Sequence, residues 1–326
     1  MRKKISLMLI IIISLVIFSG CSTKNNTVSN KKVKILFAVS NASDSYRKLL
    51  ADSAKSYAES KGIELDVKDA AGVIETQVSQ IKEAVSSGYN VIVCAPVDPT
   101  TALELEKVAK GVPIVFMNSE PDGKLLEKNK YIYVSSNEEV AGQYEAEYIL
   151  NYLKNKSDIK VVLLKGEKGH RATKGRTEAV KQTFADKGIN AEYVFEDNAD
   201  WSREKAKEML KIFLTTGKKF DCIIANNDNM ALGAMDALRE SNIDPSTVPI
   251  LGVDATSDAC KAIKDGSIQL SVYQSAKGQS ISAVEAAIRL GSGNNLSGIE
   301  NLTSDGKYIW IPFEKVDKTN VDKYMN

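Results

Sequence analysis

Histidine occurs once in the 326 residues, at His170, and cysteine only at Cys21, Cys94, Cys222 and Cys260. Ligands so few and so scattered offer none of the spacings that hold zinc. No Gly-x-Gly-x-x-Gly and no Gly-x4-Gly-Lys-Ser/Thr loop follows an apolar run, so the sequence gives no support to a nucleotide phosphate site. A Gly-x-Ser-x-Gly elbow is also missing, and no Ser/His/Asp ordering emerges, which leaves a hydrolase without an activated nucleophile. Charge of one sign is not in excess: Lys and Arg number 43 against 42 for Asp and Glu, a net +1. Such a chain has no global field to draw it to nucleic acid. The sequence therefore implies no enzyme, no catalytic residue, no cofactor and no nucleic-acid partner.

What is present is a chain with 43% apolar residues, long enough for two domains on a prior of roughly 100–200 residues each. Its first residues stand apart. Met1-Arg-Lys-Lys4 is a basic start, Ile5–Phe18 is apolar apart from Ser6 and Ser14, and Ser19-Gly20-Cys21 follows with small residues. That order is an export signal over 1–20, shorter than the run of about 20 apolar residues that spans a bilayer. Phe18-Ser-Gly-Cys21 resembles a bacterial lipobox with Phe18 in place of the usual Leu, and on that resemblance Cys21 is the lipidation site and first mature residue. Residues 21–32, polar and without periodicity, fit a flexible tether. Of the remaining cysteines, Cys94 and Cys222 lie in apolar strand-like runs, and all three are expected to serve packing.

From residue 33 onward, short β-branched runs alternate with longer amphipathic segments. Strands are expected at Val33–Val39, Ile63–Val67, Val91–Ala95, Pro113–Met117, Val161–Leu164, Ala191–Phe195, Cys222–Ala225, Ile250–Val253 and Leu270–Tyr273. Between them lie helices such as Tyr46–Lys61 and one whose apolar stripe is Ile74, Val78, Ile81 and Val85. Strands alternating with helices argue for parallel sheets covered on both faces, an α/β fold. A helix over Glu138–Lys154 divides two blocks, each resembling an open doubly wound sheet.

In such sheets ligands bind beyond the carboxyl ends of the strands. The residues found there are Asp44 and Tyr46, then Asn118, His170 with Arg176, Trp201, Asn227, Asp254 and Gln274. Carboxylates, amides, imidazole and guanidinium satisfy hydroxyls that both donate and accept, while flat rings pack against C–H faces. This is the chemistry of a neutral sugar pocket.

The blocks VPIVFMNSEP, VVLLKGEKGHRATKGR, DNADWSREKA, IIANNDNMALGAMDAL, VPILGVDA and KYIWIPFEKVDKTN carry a wider resemblance, from about Lys31 to about Asn320. They are similar to the galactose/glucose-binding branch of the type I periplasmic-binding-protein family of ABC transport and chemotaxis. The resemblance implies two Rossmann-like doubly wound domains joined by three crossovers, lobe 1 being 31–137 plus 275–309 and lobe 2 being 138–274 plus 310–326. Carried over residue by residue, it assigns Tyr46 and Trp201 to stacking, and Asp44, Asn118, His170, Arg176, Asn227, Asp254 and Gln274 to the ligand's hydroxyls. Two positions depart from the family pattern: Ala172 stands where an Asp is usual, and Gln274 where an Asn is usual. The family's calcium loop has no counterpart in the short segment 155–160, so no metal is expected.

Simpler roles stand beside these. Asp254 and Asn227 also suit helix N-caps, as does Asp228, and Lys165, Lys168, Arg171 and Lys174 suit a solvated face. The expected function is an extracytoplasmic, lipid-anchored monomer on the cell membrane that closes two lobes on a monosaccharide, galactose/glucose or a related sugar, and delivers it to an ABC permease. The alternative is a sugar-sensing module that signals through a membrane histidine kinase or chemoreceptor. A DNA-binding regulator of the same fold would need a helix-turn-helix where the export signal stands.

Overall fold

The computed structural model describes residues 32–154 and 156–325; the export signal and Cys21 lie outside the described residues. Two six-stranded sheets organise them. The first contains β1 (Lys34–Val39), β2 (Glu64–Asp69), β3 (Val91–Cys94), β4 (Ile114–Met117), β5 (Tyr131–Ser135) and β11 (Tyr308–Trp310), in the order β2-β1-β3-β4-β5-β11. The second contains β6 (Asp158–Lys165), β7 (Asn190–Asn198), β8 (Cys222–Ala225), β9 (Ile250–Val253), β10 (Leu270–Gln274) and β12 (Phe313–Val316), in the order β7-β6-β8-β9-β10-β12. The two orders match strand for strand, a repetition of topology that no short tandem repeat in the sequence announces. They differ at one edge, where β11 runs parallel to β5 but β12 runs antiparallel to β10. The chain passes from one sheet to the other between β5 and β6, between β10 and β11, and between β11 and β12.

Each sheet is buried on both faces because its strands are apolar on both. On β1, Ile35, Phe37 and Val39 enter one core cluster while Leu36 and Ala38 enter another. On β6, Val162 and Leu164 divide from Val161 and Leu163 in the same way. This period-two division is the signature of a strand packed between two helix layers. α1 (Ser45–Ser60) presents Leu50, Ala51, Ala54 and Ala58 to the first of these cores, together with α9 (Ala276–Gly291).

Every expected strand is present, with ends shifted by a few residues, and the expected helix at 138 is α4 (Glu138–Tyr152). β5, β11 and β12 were not foreseen. β11 and β12 are the sheet edges, three and four residues long, and their register comes from strands remote in the chain.

The second layer that matters for function is α4 against α5 (Arg171–Asp186). Their backbones approach closely because Gly142 and Gly175 lie at the crossing. A Cβ on Gly142 would strike the Arg176 carbonyl, and one on Gly175 would crowd Glu138. The remaining helices are α2 (Ile74–Ser86), α3 (Ala102–Val108), α6 (Arg203–Thr215), α7 (Asp228–Glu240) and α8 (Ser257–Asp265). No described helix is long and apolar enough to cross a membrane.

Candidate ligand-binding cleft

The residues expected to bind ligand sit at the carboxyl ends of strands in both sheets, and the loops that carry them have specific reasons for their shapes. Beyond β1, the Asp44 carboxylate caps α1 by accepting the Arg47 backbone N–H at 2.8 Å, which sets Tyr46 in the first helical turn. Beyond β4, Asn118 holds a left-handed φ of 64°. Beyond β6, His170 is the N-cap of α5, its Nδ1 accepting the Ala172 N–H at 3.2 Å. Beyond β7, Asp200 and Trp201 are both left-handed, at 52° and 62°; beyond β9, Asp254 and Ala255 lie at 119° and 52°. Non-glycine residues in this region cost of order 1–3 kcal/mol each and are held by surrounding structure, commonly where ligands are clamped.

Asn118, Trp201 and Asp254 are thus three predicted contacts on strained backbone. The Trp201 ring also needs Gly166 beside it, since a Cβ there would lie inside the indole. Asn227 caps α7 through its Oδ1, which accepts the Met230 N–H at 3.0 Å. Asp228, expected as a possible cap, is instead the first residue of that helix. Its carboxylate turns inward to accept Ser271 Oγ at 2.6 Å and the Thr256 N–H at 2.7 Å. Thr256, not Asp254, caps α8.

All of the predicted contact residues line one cavity of about 340 Å³, counted to its open mouth, joined there by Arg47 and Ala172. Arg47 was not anticipated, although its place one residue after Tyr46 was a usable signal. Its Nε donates to Asn118 Oδ1 at 3.3 Å and its Nη2 lies 3.2 Å from Glu167 Oε2, in the loop after β6. A second ion pair crosses the cleft in the opposite sense, Arg171 Nε to Glu120 Oε2 at 3.0 Å. Arg171 therefore reaches across the mouth rather than joining a solvated face, and its Nη2 also meets Glu139 at 2.9 Å.

Behind the cavity, Arg176 is fixed in three directions. Nε donates to Glu138 Oε2 at 2.7 Å, Nη1 to the Asn226 carbonyl at 2.5 Å and Nη2 to Gln274 Oε1 at 3.0 Å. Arg176 and Glu138 are both almost fully buried. Sequence reasoning missed Glu138, because its role depends on the glycine-mediated crossing of α4 and α5. The pair orients the planar guanidinium, and with it Gln274, at the cavity wall.

The electrostatics follow from this burial. His170 is depressed from its usual value to about 3, first by burial and then by Arg47 and Arg176. It is neutral, and because Nδ1 accepts a backbone N–H the proton resides on Nε2. That nitrogen, the Tyr46 hydroxyl and Trp201 Nε1 are buried and make no hydrogen bond within the protein. Polar atoms left so cost about 1–3 kcal/mol each. Burial holds the Asp254 carboxyl well above the usual range, against the pull of Arg176 and with support from Asp228, Asp44 and Glu138. Asp228 is pushed up to about 7 by burial, opposed by its bonds from Ser271 and Thr256. Such a set presents donors, acceptors and flat rings to a hydroxylated ligand. Among the described residues no group of three or more His, Cys, Asp or Glu is placed to hold a metal ion. Cys94, Cys222 and Cys260 are buried free thiols.

Residues 35–295 match the family described as periplasmic binding protein domain. A proposed rhizopine-binding protein of Rhizobium meliloti is 33% identical over 86% of this chain and 89% of its own length. A D-galactose/methyl-galactoside binding periplasmic protein of Haemophilus influenzae is 30% identical over 81% of this chain and 83% of its own. Among solved structures, an ABC transporter solute binding protein from Bacillus halodurans with bound myo-inositol superposes with a TM-score of 0.80. It is 28% identical, covering 90% of this chain and 97% of that one.

Proposed function

Because the chain belongs to the periplasmic binding protein family, we propose that it captures a polyhydroxylated six-membered ring, a hexose or a cyclitol, and delivers it to an ABC permease without turning it over. The observation that carries this reading is the convergence, from both sheets, of Tyr46, Trp201 and the polar set around Arg176 on one cavity, with His170 Nε2, the Tyr46 hydroxyl and Trp201 Nε1 unpartnered there. A ring polyol meets each of these atoms with a hydroxyl and the aromatic faces with its C–H surfaces.

The departures at Ala172 and Gln274 bear on which ring is taken. A carboxylate at position 172 would fix one hydroxyl directly. Its replacement by a methyl group, together with relatives named for a galactoside, rhizopine and myo-inositol, supports a reading that admits cyclitols beside galactose and glucose.

The lobes, 31–137 plus 275–309 and 138–274 plus 310–326, close on the ligand about the three crossings. Neither lobe alone offers the full contact set, so ligand shifts the population toward the closed state. Acylation at Cys21 anchors the monomer on the extracytoplasmic face of the cell membrane, and Cys21→Ser should release it to the medium. Calorimetry against galactose, glucose, ribose, xylose and myo-inositol tests the central claim, with mass spectrometry of any co-purifying solute to identify the ring. No Kd below millimolar for any of them, and no co-purifying polyol, would refute it.

A further inference from the structure

A larger groove, about 1490 Å³ when open solvent is counted, adjoins the cavity and shares Tyr46, Asp254 and Gln274 with it as a common wall. One side of the groove is the face of α1 that carries Ser45, Leu49 and Ser53, spaced four apart. The other is built by Thr256 and Ser257 at the start of α8, with Tyr273 and Tyr324 beyond.

Its chemistry repeats that of the cavity. Tyr273 and Tyr324 form a tilted aromatic pair with centroids 5.0 Å apart, and Leu49 stands opposite with 53% of its surface exposed. The aromatic pair, with Leu49, gives the groove an apolar strip of the kind that a sugar ring packs against. Serine and threonine hydroxyls alternate with this apolar strip, and the ammonium groups of Lys277 and Lys323 add donors. Flat rings beside hydroxyl partners are what the first ring meets at Tyr46 and Trp201.

We infer that the groove is a second subsite, and that the ligand is an O-linked two-ring compound whose first ring fills the cavity while its second lies against Leu49, Tyr273 and Tyr324. The inference rests on the proposed binding of a ring polyol. The linking oxygen passes the shared wall at Asp254, whose raised affinity for a proton lets it donate to an ether oxygen as well as accept from a hydroxyl. The bond between the rings stays intact.

Calorimetry on the full chain with galactose, glucose, myo-inositol, lactose (galactose O-linked to glucose) and galactinol (galactose O-linked to myo-inositol) tests this. The expected result is that lactose or galactinol binds at least as tightly as the better of its free component rings. Leu49→Arg, a substitution on an exposed position, and Tyr324→Ala should each weaken the two-ring ligand at least fivefold while leaving Kd for the free ring within twofold. Free rings that bind while both two-ring compounds bind more weakly than the better of their free component rings would overturn the subsite and leave the first reading standing. Variants that weaken one-ring and two-ring ligands alike would overturn it too. No binding of any of the five would overturn both readings.

Discussion

Lowering the pH should loosen ligand binding through a single residue. In the closed cleft His170 is 8% exposed and its pKa stands at about 3, because burial and the neighbouring Arg47 and Arg176 oppose a third positive charge. Protonation would also remove the Nδ1 lone pair that caps α5, at a helix end where positive charge is already unfavourable. With the lobes parted, water reaches the imidazole and Arg47 withdraws, so its pKa rises toward the ordinary value of about 6.5, which is an upper limit because the α5 cap and Arg176 stay beside it in the same lobe. The closed state then binds fewer protons than the open state between these two values. The sign follows: closure is favoured above about pH 6.5 and is progressively lost as pH falls toward 3. Taking about 6.5 as the open-state limit, the open-state factor grows from about 1.3 at pH 7 to about 33 at pH 5, so affinity drops by at most about 25-fold, or about 1.9 kcal/mol. Asp254 and Asp228 work in the other direction, since burial raises both and proton uptake then accompanies closure. His170→Asn separates the contributions, because Asn keeps the cap and cannot titrate. The ratio of wild-type to variant affinity, measured by calorimetry at both pH values, should fall toward pH 5 by severalfold and by no more than that factor. The chain holds one histidine, so its imidazole resonances need no assignment. A ligand-bound imidazole that titrates near 6.5, or a ratio that does not move with pH, would refute the reasoning.

Trp201→Ala should cost more than about 1 kcal/mol of binding, at least a fivefold rise in Kd by titration, from lost ring stacking; an unchanged Kd would remove the indole from the site. Gly166→Ala forces a methyl group into the same ring. Overpacking costs about 1–3 kcal/mol, and the group displaced is the indole, so the loss should appear in affinity, in the near-ultraviolet circular dichroism of Trp201 and, by up to about that amount, in denaturant stability. Glu138→Ala leaves Arg176 charged and buried without its carboxylate. Breaking such a pair costs about 3–5 kcal/mol, which equilibrium unfolding would register even in the absence of ligand.

The α/β alternation was legible because both faces of strands such as Val91–Cys94 are apolar and helices such as Ile74–Ser86 carry a clear stripe. Tyr308–Trp310 and Phe313–Val316 were not, since an edge strand this short takes its identity from a partner more than 35 residues away. Polar residues that follow strands directly, from Asp44 to Gln274, could be listed from order alone, and they share one cavity. Glu138 could not, because nothing local distinguishes it from Glu139. What separates the two is that one faces a helix crossing opened by Gly142 and Gly175 and the other faces Arg171 at the mouth. The cap reading of Asp228 failed for a related reason: Asn227 already occupied the cap, and the carboxylate was taken up by Ser271 on β10.

The placement of the tryptophans has a practical consequence. The chain has two: Trp201 in the cleft, edge-on to His170 at 5.3 Å, and Trp310 on the outer strand of the first sheet, stacked on Tyr308 at 5.1 Å. With Trp310 replaced by Phe, a single indole would remain, located where solute and lobe closure both alter its surroundings. The protein would then be its own fluorescent gauge of solute concentration, with no dye attached.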